Sequence, residues 1–313
     1  MLSLIGRRLV QLVPTLFMVS VLVFLLQQLL PGDPATVLAG EENDPEAIAA
    51  IRRQYRLDQP IPVQYLHWMA GVLTGDLGES MRLKAPVLDL ILMKLPVTFQ
   101  LACMALAIAL VIGVGAGVVS AVKRDTVWDY AANLLALWGI STPNFWLGIM
   151  MIYLFAVSLG WLPASGYVGP GEDWRQSLAT TIMPAFVLGN SLAGVFMRHT
   201  RGALLQALHS DFARTARAKG LPERAVVLAH ALRPALMPLI TLAAVEFGTL
   251  LSGAVLTEQI FSIPGFGKLV VDAVFNRDYA VVQGVVLVTA TLYVLLNLLA
   301  DVGYTLVDPR LRP

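Results

Sequence analysis

Residues that could do chemistry are few in this chain, and many of the charged ones gather in one stretch. Between Arg198 and Arg233 the sequence holds seven Lys or Arg residues against two acids, Asp211 and Glu223. Long apolar runs flank this stretch on both sides. Because Lys and Arg favour the cytoplasmic side of a membrane, the stretch is predicted to be a cytoplasmic loop. Its basic surface could bind lipid headgroups or a groove on a partner protein, and both interpretations remain open.

Motifs for catalysis or metal binding are absent from the sequence. Gly267-Lys268 is not part of a phosphate-binding G-x-x-x-x-G-K-[ST], because Ser262 stands where the first glycine belongs. The motifs H-E-x-x-H and G-x-S-x-G are missing too. One Cys and four His leave no disulfide and no Cys/His metal cluster. The sequence therefore predicts a protein that is not an enzyme, holds no cofactor or metal, and takes its energy from a partner or a gradient.

Four polar residues inside the apolar runs are candidates for structural or transport roles. Glu246 lies in the fifth run, and Asp301 lies near the end of the sixth. Charged residues at membrane depth usually face a cavity or the interior of a bundle. Glu246 either lines a translocation path and meets a substrate amine, or is a neutral or hydrogen-bonded packing residue, whereas Asp301 is predicted to be structural. Asn190 and Ser191 are weaker path candidates, with hydrogen bonding between helices as the alternative.

The elements that must position these residues are membrane-spanning helices. The chain is 57% hydrophobic and 14% charged, whereas soluble domains carry about a quarter charged residues. A helix needs roughly 20 apolar residues to cross a bilayer. The third run contains Ser141-Thr142-Pro143-Asn144, so a break is predicted there, because proline removes a backbone hydrogen bond. Six runs qualify as spans: 9–30, 97–122, 130–159, 179–197, 238–257 and 281–307.

The distribution of Lys and Arg predicts the topology. With both termini in the cytoplasm, the cytoplasmic pieces hold thirteen Lys or Arg residues, and the longer outside pieces hold nine. The outside pieces also hold 14 of the 21 acids. The positive-inside rule therefore favours an all-α integral membrane protein with six spans, N-in and C-in.

The predicted organisation is one membrane domain with an external appendage. Residues 1–30 hold the N-terminus and the first span, and residues 31–96 form a small extracytoplasmic domain. The core domain covers residues 97–307 and ends in a cytoplasmic tail, 308–313. Within the core, the two long connections are the cytoplasmic loop 198–237 and the extracytoplasmic loop 258–280.

The cytoplasmic loop is predicted to contain a short helix over 211–219 with a sharp end. Gly220 stands where a C′ glycine belongs, and Pro222 suits the first turn of the next helix. Arg214 and Arg217 share the polar face of this helix. An apolar stripe at helical spacing is formed by Leu205, Leu208, Phe212 and Ala216.

The last outside loop contains an apolar turn that could close a pore. Pro264 and Gly265 suit the central positions of a type II turn, and apolar residues such as Phe261 flank them. The turn is either an interfacial feature or a re-entrant loop at a pore mouth. The re-entrant interpretation rests on the rule that non-helical backbone at membrane depth requires a protein or aqueous surrounding.

Residues 214–220 are similar to the so-called EAA loop of binding-protein-dependent permeases. Arg214-Thr215-Ala216 stands in the place of the triplet that names the loop, and Gly220 stands at its fixed distance. The usual Glu is absent, as is common in the peptide branch of the family. The later Ile-x-Leu-Pro pattern is blurred around His230, Leu232 and Pro234.

Further motifs match the same family, in the same order, along the whole chain. They are Arg7-Arg8 followed by Pro14, Leu30-Pro31-Gly32-Asp33-Pro34, Leu57-Asp58-Gln59-Pro60, Gly75-Asp76-Leu77-Gly78, Phe261-Ser262-Ile263-Pro264-Gly265, Arg277-Asp278-Tyr279 and Val307-Asp308-Pro309-Arg310. The chain therefore resembles the permease subunits of ATP-binding-cassette importers, in the branch that takes up dipeptides, oligopeptides and nickel.

The resemblance implies a type I importer permease fold and a set of partners. These are a second homologous permease, two cytoplasmic ATPases that bind ATP and Mg, and an extracytoplasmic substrate-binding protein. Membrane lipid is a further partner, nucleic acid is not, and the location is the cytoplasmic or inner membrane of a bacterium or archaeon. Coupling to the ATPases is expected at Asp211, Phe212, Arg214, Thr215, Ala216, Arg217, Lys219 and Gly220.

The same resemblance implies import of di- or oligopeptides, with nickel chelates, glutathione, opines or sugars as alternatives. Two functions of other classes compete with it. A gradient-driven carrier would need more intramembrane ionisable residues than Glu246 and Asp301. A non-transporting scaffold would show no ATP hydrolysis stimulated by substrate.

Overall fold

The computed structural model describes residues 2–28, 35–36, 44–54 and 56–307, which are largely helical. The predicted tail 308–313 and the motif residues 30–34 lie outside the described residues. Two π-helical segments cover Ile152–Ser158 and Val226–Ala231. In chain order the α-helices are α1 (Leu2–Gln28), α2 (Pro45–Gln54), α3 (Ile61–Thr74), α4 (Val87–Val122), α5 (Val127–Ser141), α6 (Asn144–Met151), α7 (Trp174–Leu208), α8 (Asp211–Ala218), α9 (Glu223–Ala225), α10 (Leu232–Gly253), α11 (Val255–Ile260), α12 (Phe266–Phe275) and α13 (Tyr279–Val307).

Several of these helices are long and apolar enough to cross a membrane. Helices α5 and α6, with the π-helical segment after α6, form one bent candidate, and α1 contains a shorter apolar stretch, Leu12–Leu25. The described chain is thus an all-helical membrane protein with four apolar spans, or five if the bent pair is one span. The four are Val87–Val122, Trp174–Leu208, Glu223–Leu251 and Tyr279–Leu298.

The break predicted inside the third apolar run is present. Helix α5 ends at Ser141, α6 begins at Asn144, and the chain bends by 99° between them. Pro143 has no N–H with which to continue the α5 ladder. Thr142 closes the end of α5 instead, because its N–H and its hydroxyl both donate to the carbonyl of Trp138, at 2.9 and 2.7 Å.

The described residues fall into two compact units. The first comprises residues 97–264 and 295–307, and the second comprises the described parts of 2–96 together with 265–294. Within the second unit, the hydroxyl of Ser80 donates to the carboxylate of Asp278 at 2.5 Å, which ties the turn before α4 to the start of α13. The apolar core of the second unit includes Leu77, Val87, Ile91, Phe266, Leu269, Val281 and Val285.

Helix α7 packs closely against α4 and α5 inside the first unit. A Cβ at Gly113 of α4 would lie 2.5 Å from the carbonyl oxygen of Ala193 on α7. A Cβ at Gly194 of α7 would lie 2.5 Å from the carbonyl oxygen of Ala136 on α5. Such close approach of helix backbones needs glycine and is common between membrane helices. These three helices are called the α4–α5–α7 block below, and α7 runs through it as one helix of 35 residues.

Candidate functional site

Helix α8, the helix predicted in the basic loop, follows α7 after only residues 209–210. Ser210 is its N-cap residue, but the side chain makes no capping bond to α8. The hydroxyl donates instead to the carbonyl of Ala207 at 2.5 Å, which ties the link back to α7. The helix ends at Ala218, one residue before the predicted end. The direction of α8 is therefore set from the end of α7.

The sharp end of α8 is a left-handed glycine turn. Gly220 has a φ of +76°, a value that residues with a Cβ rarely adopt. The N–H of Gly220 donates to the carbonyl of Arg217 at 2.9 Å, and the N–H of Leu221 donates to the carbonyl of Ala216 at 3.3 Å. These two bonds form a Schellman motif, so the predicted C′ glycine is confirmed. Pro222 is the N-cap of α9 rather than a residue of its first turn.

The buried face of α8 is made of small residues. Ala213 and Ala216 are buried against Val226, with Leu208 packed beside them. Phe212 is 46% exposed and takes no part in this contact. The predicted stripe is therefore divided in the structure, since Ala216 packs on its own chain and Phe212 lies exposed.

The two arginines of α8 have different surroundings. Arg214 is 79% exposed and pairs with Asp211 of its own helix at 3.4 Å. Arg217 donates from Nη2 and Nε to the carboxylate of Glu223, at 2.7 and 3.1 Å, and from Nη1 to the carbonyl of Leu208 at 3.0 Å. The bonds to Glu223 raise the pKa of Arg217 above its ordinary value, so this guanidinium remains charged. Arg217 thus connects α8 to the end of α7 and to α9, whereas Arg214 is directed toward solvent.

The outward side of α8 combines an aromatic ring with charges of both signs. The residues on this side either make their side-chain contacts within α8 or face solvent. Thr215, for example, donates to the carbonyl of Asp211 at 2.9 Å. An aromatic anchor ringed by charges is typical of a protein-binding surface. This surface, called the α8 outer surface below, consists of Asp211, Phe212, Arg214, Thr215 and Lys219.

The predicted path residues do not form one cluster. Asn190 on α7 donates from Nδ2 to the carbonyl of Gly139 on α5 at 3.4 Å. The hydroxyl of Ser191 donates within α7, to Leu188 at 3.5 Å. Glu246 on α10 is half-buried, and the His199 ring lies within electrostatic range of it. No hydrogen bond or ion pair joins Glu246 to Asn190 or Ser191 among these described residues.

A buried acid that the sequence did not single out lies on α11. Glu258 is completely buried, and its Oε1 accepts a 2.5 Å hydrogen bond from the hydroxyl of Thr98 on α4. In the predicted topology Glu258 only begins an outside loop. One local signal was available, since this acid stands within the apolar run that includes Ile260, Phe261 and Ile263. The chain also turns back on Glu258, whose carbonyl accepts from the N–H of Ile263 at 2.8 Å.

The three residues predicted for the outer turn have distinct places. Phe261 is buried, its carbonyl accepts from the N–H of Gly166 at 2.9 Å, and its ring lies against Gly148 of α6. Pro264 is half-buried, and Gly265 is the N-cap of α12 with φ −86°. The predicted type II turn is wrong, because it requires positive φ at Gly265. The left-handed residue is Ser262, with φ +51°.

A polar network joins the segment before α7 to α4 and to the start of α7. The hydroxyl of Tyr167 donates to Oε1 of Gln100 at 2.7 Å, and Nε2 of Gln100 donates to the hydroxyl of Ser177 at 3.0 Å. Burial, with the nearby carboxylate of Glu172, raises the pKa of Tyr167. The phenol therefore stays protonated and able to donate at neutral pH.

Comparison with known proteins gives the family. Residues 113–313 match the family described as "Binding-protein-dependent transport system inner membrane component". Residues 1–102 match the N-terminal component of the same kind of system. The chain belongs to this permease family. It is therefore the non-catalytic permease subunit of an ABC importer and a multi-pass inner-membrane protein. The family is not expected to hold a cofactor. The transport system to which it belongs includes ATPase and binding-protein partners.

Full-length relatives share more than two-fifths of this permease's residues. A putative peptide transport system permease protein of Brucella abortus (strain 2308) is 43% identical over 316 residues, covering 100% of this chain and 99% of the relative. The glutathione transport system permease protein GsiC of Escherichia coli (strain K12) is 41% identical over 312 residues, with the same coverage.

Solved structures share the fold of this permease. The inward-facing MetNI methionine ABC transporter has a TM-score of 0.57 at 19% identity, covering 70% of this chain and 96% of that chain. A crystal structure of an amino acid ABC transporter with histidines has a TM-score of 0.51 at 14% identity, covering 71% and 94%. The expected likeness to importer permeases is confirmed at this level.

Proposed function

We propose that this permease forms half of the path of an importer for short peptides, with glutathione included. The support is the naming of its full-length relatives for peptide or glutathione transport. Glutathione is itself a small tripeptide, so both names describe one chemical class: a short chain with an amine, amide groups and carboxylates. A path for this class needs few charged groups of its own when a binding protein selects the cargo.

The 211–220 segment carries the coupling part of the proposal. Its alanine face holds α8 on its own chain, and the α8 outer surface offers Phe212 and Arg214 to a partner. The segment follows α7 directly, so a push on α8 reaches a long membrane helix. Each of two cytoplasmic ATPases would receive one such helix, the second from a homologous permease.

The proposed topology has six spans with both termini in the cytoplasm. The first span would use the apolar part of α1, and residues 31–96 would form the extracytoplasmic domain. Lys219→Cys in a Cys103→Ala background tests on which side of the membrane the 198–237 loop lies. This variant should react with a membrane-impermeant maleimide only in inside-out vesicles. Reaction from the outside of intact cells would overturn the topology and the coupling role together.

The proposed path passes Glu246, and its proposed outer closure is the turn at Phe261, Pro264 and Gly265. An acid on an apolar, half-buried helix face supports the first assignment. The buried ring of Phe261 and its bond to Gly166 support the second. The contacts of Asn190 and Ser191 favour packing, so we assign them no direct contact with substrate.

Coupling is tested by two substitutions in the complete importer. Phe212→Ala should weaken binding of the ATPases by about 2 kcal/mol, as removal of an aromatic anchor does. Ala216→Glu should also weaken it, because a buried carboxylate displaces α8 from Val226. Phe275→Ala is the matched control, since this ring is 83% exposed on α12. The measurement is the amount of ATPase that copurifies with the permease. Unchanged retention in both test variants would refute the coupling role.

Substrate class is tested in proteoliposomes that contain the complete importer and its binding protein. Uptake of radiolabelled trialanine should depend on ATP and should be reduced by an excess of glutathione. Competition by a nickel chelate or a sugar, with none by peptides, would contradict the peptide proposal. In the same system Glu246→Gln should raise the KM for trialanine about tenfold and leave that for N-acetyl-trialanine unchanged, because a charged hydrogen bond is worth about 1.5 kcal/mol or more.

A further inference from the structure

An ion pair with a buried carboxylate joins α5 to α7, and the arginine side chain of the pair is 27% exposed. Asp129, in the first turn of α5, is 3% exposed. Arg201 on α7 donates from Nε to Oδ1 of Asp129 at 2.9 Å and from Nη2 to Oδ2 at 2.8 Å. Two parallel bonds of this kind fix both distance and orientation, and the planar guanidinium is the group that provides them.

Helix α4 and the α4–α5 turn also bind the same carboxylate. The buried hydroxyl of Ser120 donates to Oδ1 of Asp129. Nδ2 of Asn133 donates to Oδ1 at 2.7 Å, and the N–H of Asp125 donates to Oδ2 at 3.1 Å. Nε of Arg201 lies 3.0 Å from the hydroxyl oxygen of Ser120 as well. All three helices of the α4–α5–α7 block therefore meet at one carboxylate.

Stability alone does not account for this arrangement. Removing charges from water is unfavourable, and a well-packed apolar replacement of both partners is often equally stable or more so. Close packing at Gly113 and Gly194 already joins α7 to α4 and α5. The ion pair adds a bond with a fixed direction, which packing of small residues does not supply.

The position of the pair along α7 indicates what this direction is for. Arg201 lies about two turns before α7 ends at Leu208. Residues 209–210 then lead to α8, and the hydroxyl of Ser210 bonds back to Ala207 of α7. Movement of α8 thus reaches Arg201 through a short, hydrogen-bonded stretch. From Arg201 the movement is transferred to α5 and α4 through the hydrogen bonds of Asp129.

We propose that Asp129 and Arg201 are positioning residues that make α4 and α5 move together with α7 and α8 during transport. This inference rests on the proposed coupling role of the 211–220 segment. Without the pair, the ATPases still bind α8 and still hydrolyse ATP, but α7 shifts against α4 and α5. Part of the movement that the ATPases impose on α8 is then lost before it reaches the translocation path.

The test uses the complete importer in proteoliposomes and measures trialanine uptake and ATP hydrolysis in the same vesicles. The main variant is Asp129→Asn with Arg201→Gln, which leaves no unpaired buried charge. A second variant, Arg201→Lys, keeps the charge and loses the two-point contact. The control is Arg124→Gln, which breaks an exposed ion pair with Asp125 in the α4–α5 turn.

The expected result is a lower ratio of trialanine transported to ATP hydrolysed. The ratio should fall about fivefold or more in the double variant, the lower end of usual coupling between sites. Arg201→Lys should give an intermediate ratio, and Arg124→Gln the wild-type ratio. ATPase copurification should remain at the wild-type level in all three. A merely structural pair would instead change the amount of assembled importer and leave the ratio unaltered, and that result would overturn the proposal.

A second measurement does not depend on transport. Spin labels at Trp128 of α5 and Gln206 of α7, in a Cys103→Ala background, report the distance between the two helices. In the protein with Asp129 and Arg201 intact, the two labels should give one narrow distance distribution with and without ATP. In the double variant, they should give a broad distribution with ATP. A narrow distribution in both proteins would refute the positioning role. If the wild-type importer fails to take up trialanine, the proposed function fails, whereas a retained ratio in the variants refutes only this inference.

Discussion

The hydroxyl of Thr98 on α4 donates a 2.5 Å hydrogen bond to Oε1 of Glu258 on α11, and both residues are completely buried. The two residues are 160 positions apart in the sequence. The bond holds α11 against α4 just before the buried turn at Phe261. A polar contact in such an apolar setting is stabilising mainly because losing it leaves a buried polar group with one hydrogen bond fewer.

Thr98→Val should therefore destabilise the permease by about 1–3 kcal/mol, because Glu258 loses a buried donor while the shape of the side chain is kept. Thermal unfolding of the purified protein in detergent measures this effect. Thr180→Val is the control, since the hydroxyl of Thr180 bonds only to carbonyls of its own helix. Equal melting temperatures for the two variants would show that the Thr98–Glu258 bond contributes nothing particular.

Two glycines of α7 should respond in opposite ways to alanine. Gly194→Ala places a methyl group 2.5 Å from the carbonyl oxygen of Ala136, and overpacking of this kind costs about 1–3 kcal/mol. Gly202→Ala meets open space, and should be neutral or stabilising by up to about 1 kcal/mol, because alanine favours helices. Melting temperatures of the two variants give the comparison. A stable Gly194→Ala protein would contradict the close contact between α5 and α7.

Gly220→Ala should strain the end of α8. A residue with a Cβ at a φ of +76° costs about 1–2 kcal/mol, although there is free space around this position. Because the strain is local, the melting temperature should change little, while less ATPase copurifies with the permease. Gly171→Ala, at a glycine with ordinary φ and open space, is the reference. Normal ATPase retention in the Gly220→Ala variant would mean that the Schellman turn is dispensable.

Arg217 and Arg214 should differ in hydrogen exchange and in salt dependence. Arg217→Ala removes the bonds to Glu223 and to the carbonyl of Leu208, so amide exchange in 217–225 should become faster. Arg214→Ala should leave exchange unaltered. It should instead reduce the salt dependence of ATPase binding, because Arg214 is a charge on the exposed α8 outer surface. The opposite assignment of the two effects would contradict the two roles.

Local features of the fold could be predicted from the sequence, and long-range ones could not. The break at Pro143 and the stop at Gly220 follow from what proline and glycine do to the backbone, so both were predictable. The apolar runs gave the membrane class because roughly 20 apolar residues in a helix match the thickness of the bilayer core. By contrast, the hydrogen bond of Glu258 with Thr98 joins two distant helices, and no spacing rule connects the two residues.

Residues at the candidate site were predicted to the level of the segment, and less well to the level of the face. Helical spacing placed Phe212 and Ala216 on one stripe, but the structure buries Ala213 and Ala216 and exposes Phe212. The choice was decided by the size of the side chain that fits against Val226, which periodicity does not describe. The turn at Pro264-Gly265 was predicted with the wrong type, since Gly265 is the N-cap of α12 and Ser262 takes the left-handed conformation.

The unbroken course of α7 fixes an angle as well as a length. Each residue of an α-helix adds about 100° of rotation and 1.5 Å of rise. One residue inserted between Arg201 and Leu208 would therefore turn α8 by more than a quarter of a circle and point Phe212 away from the partner that we propose for it. Between Arg201 and Leu208, how many residues the chain has therefore matters more than which residues they are, because their count sets the direction of α8. The exposed turn at 169–173 is free to vary in length.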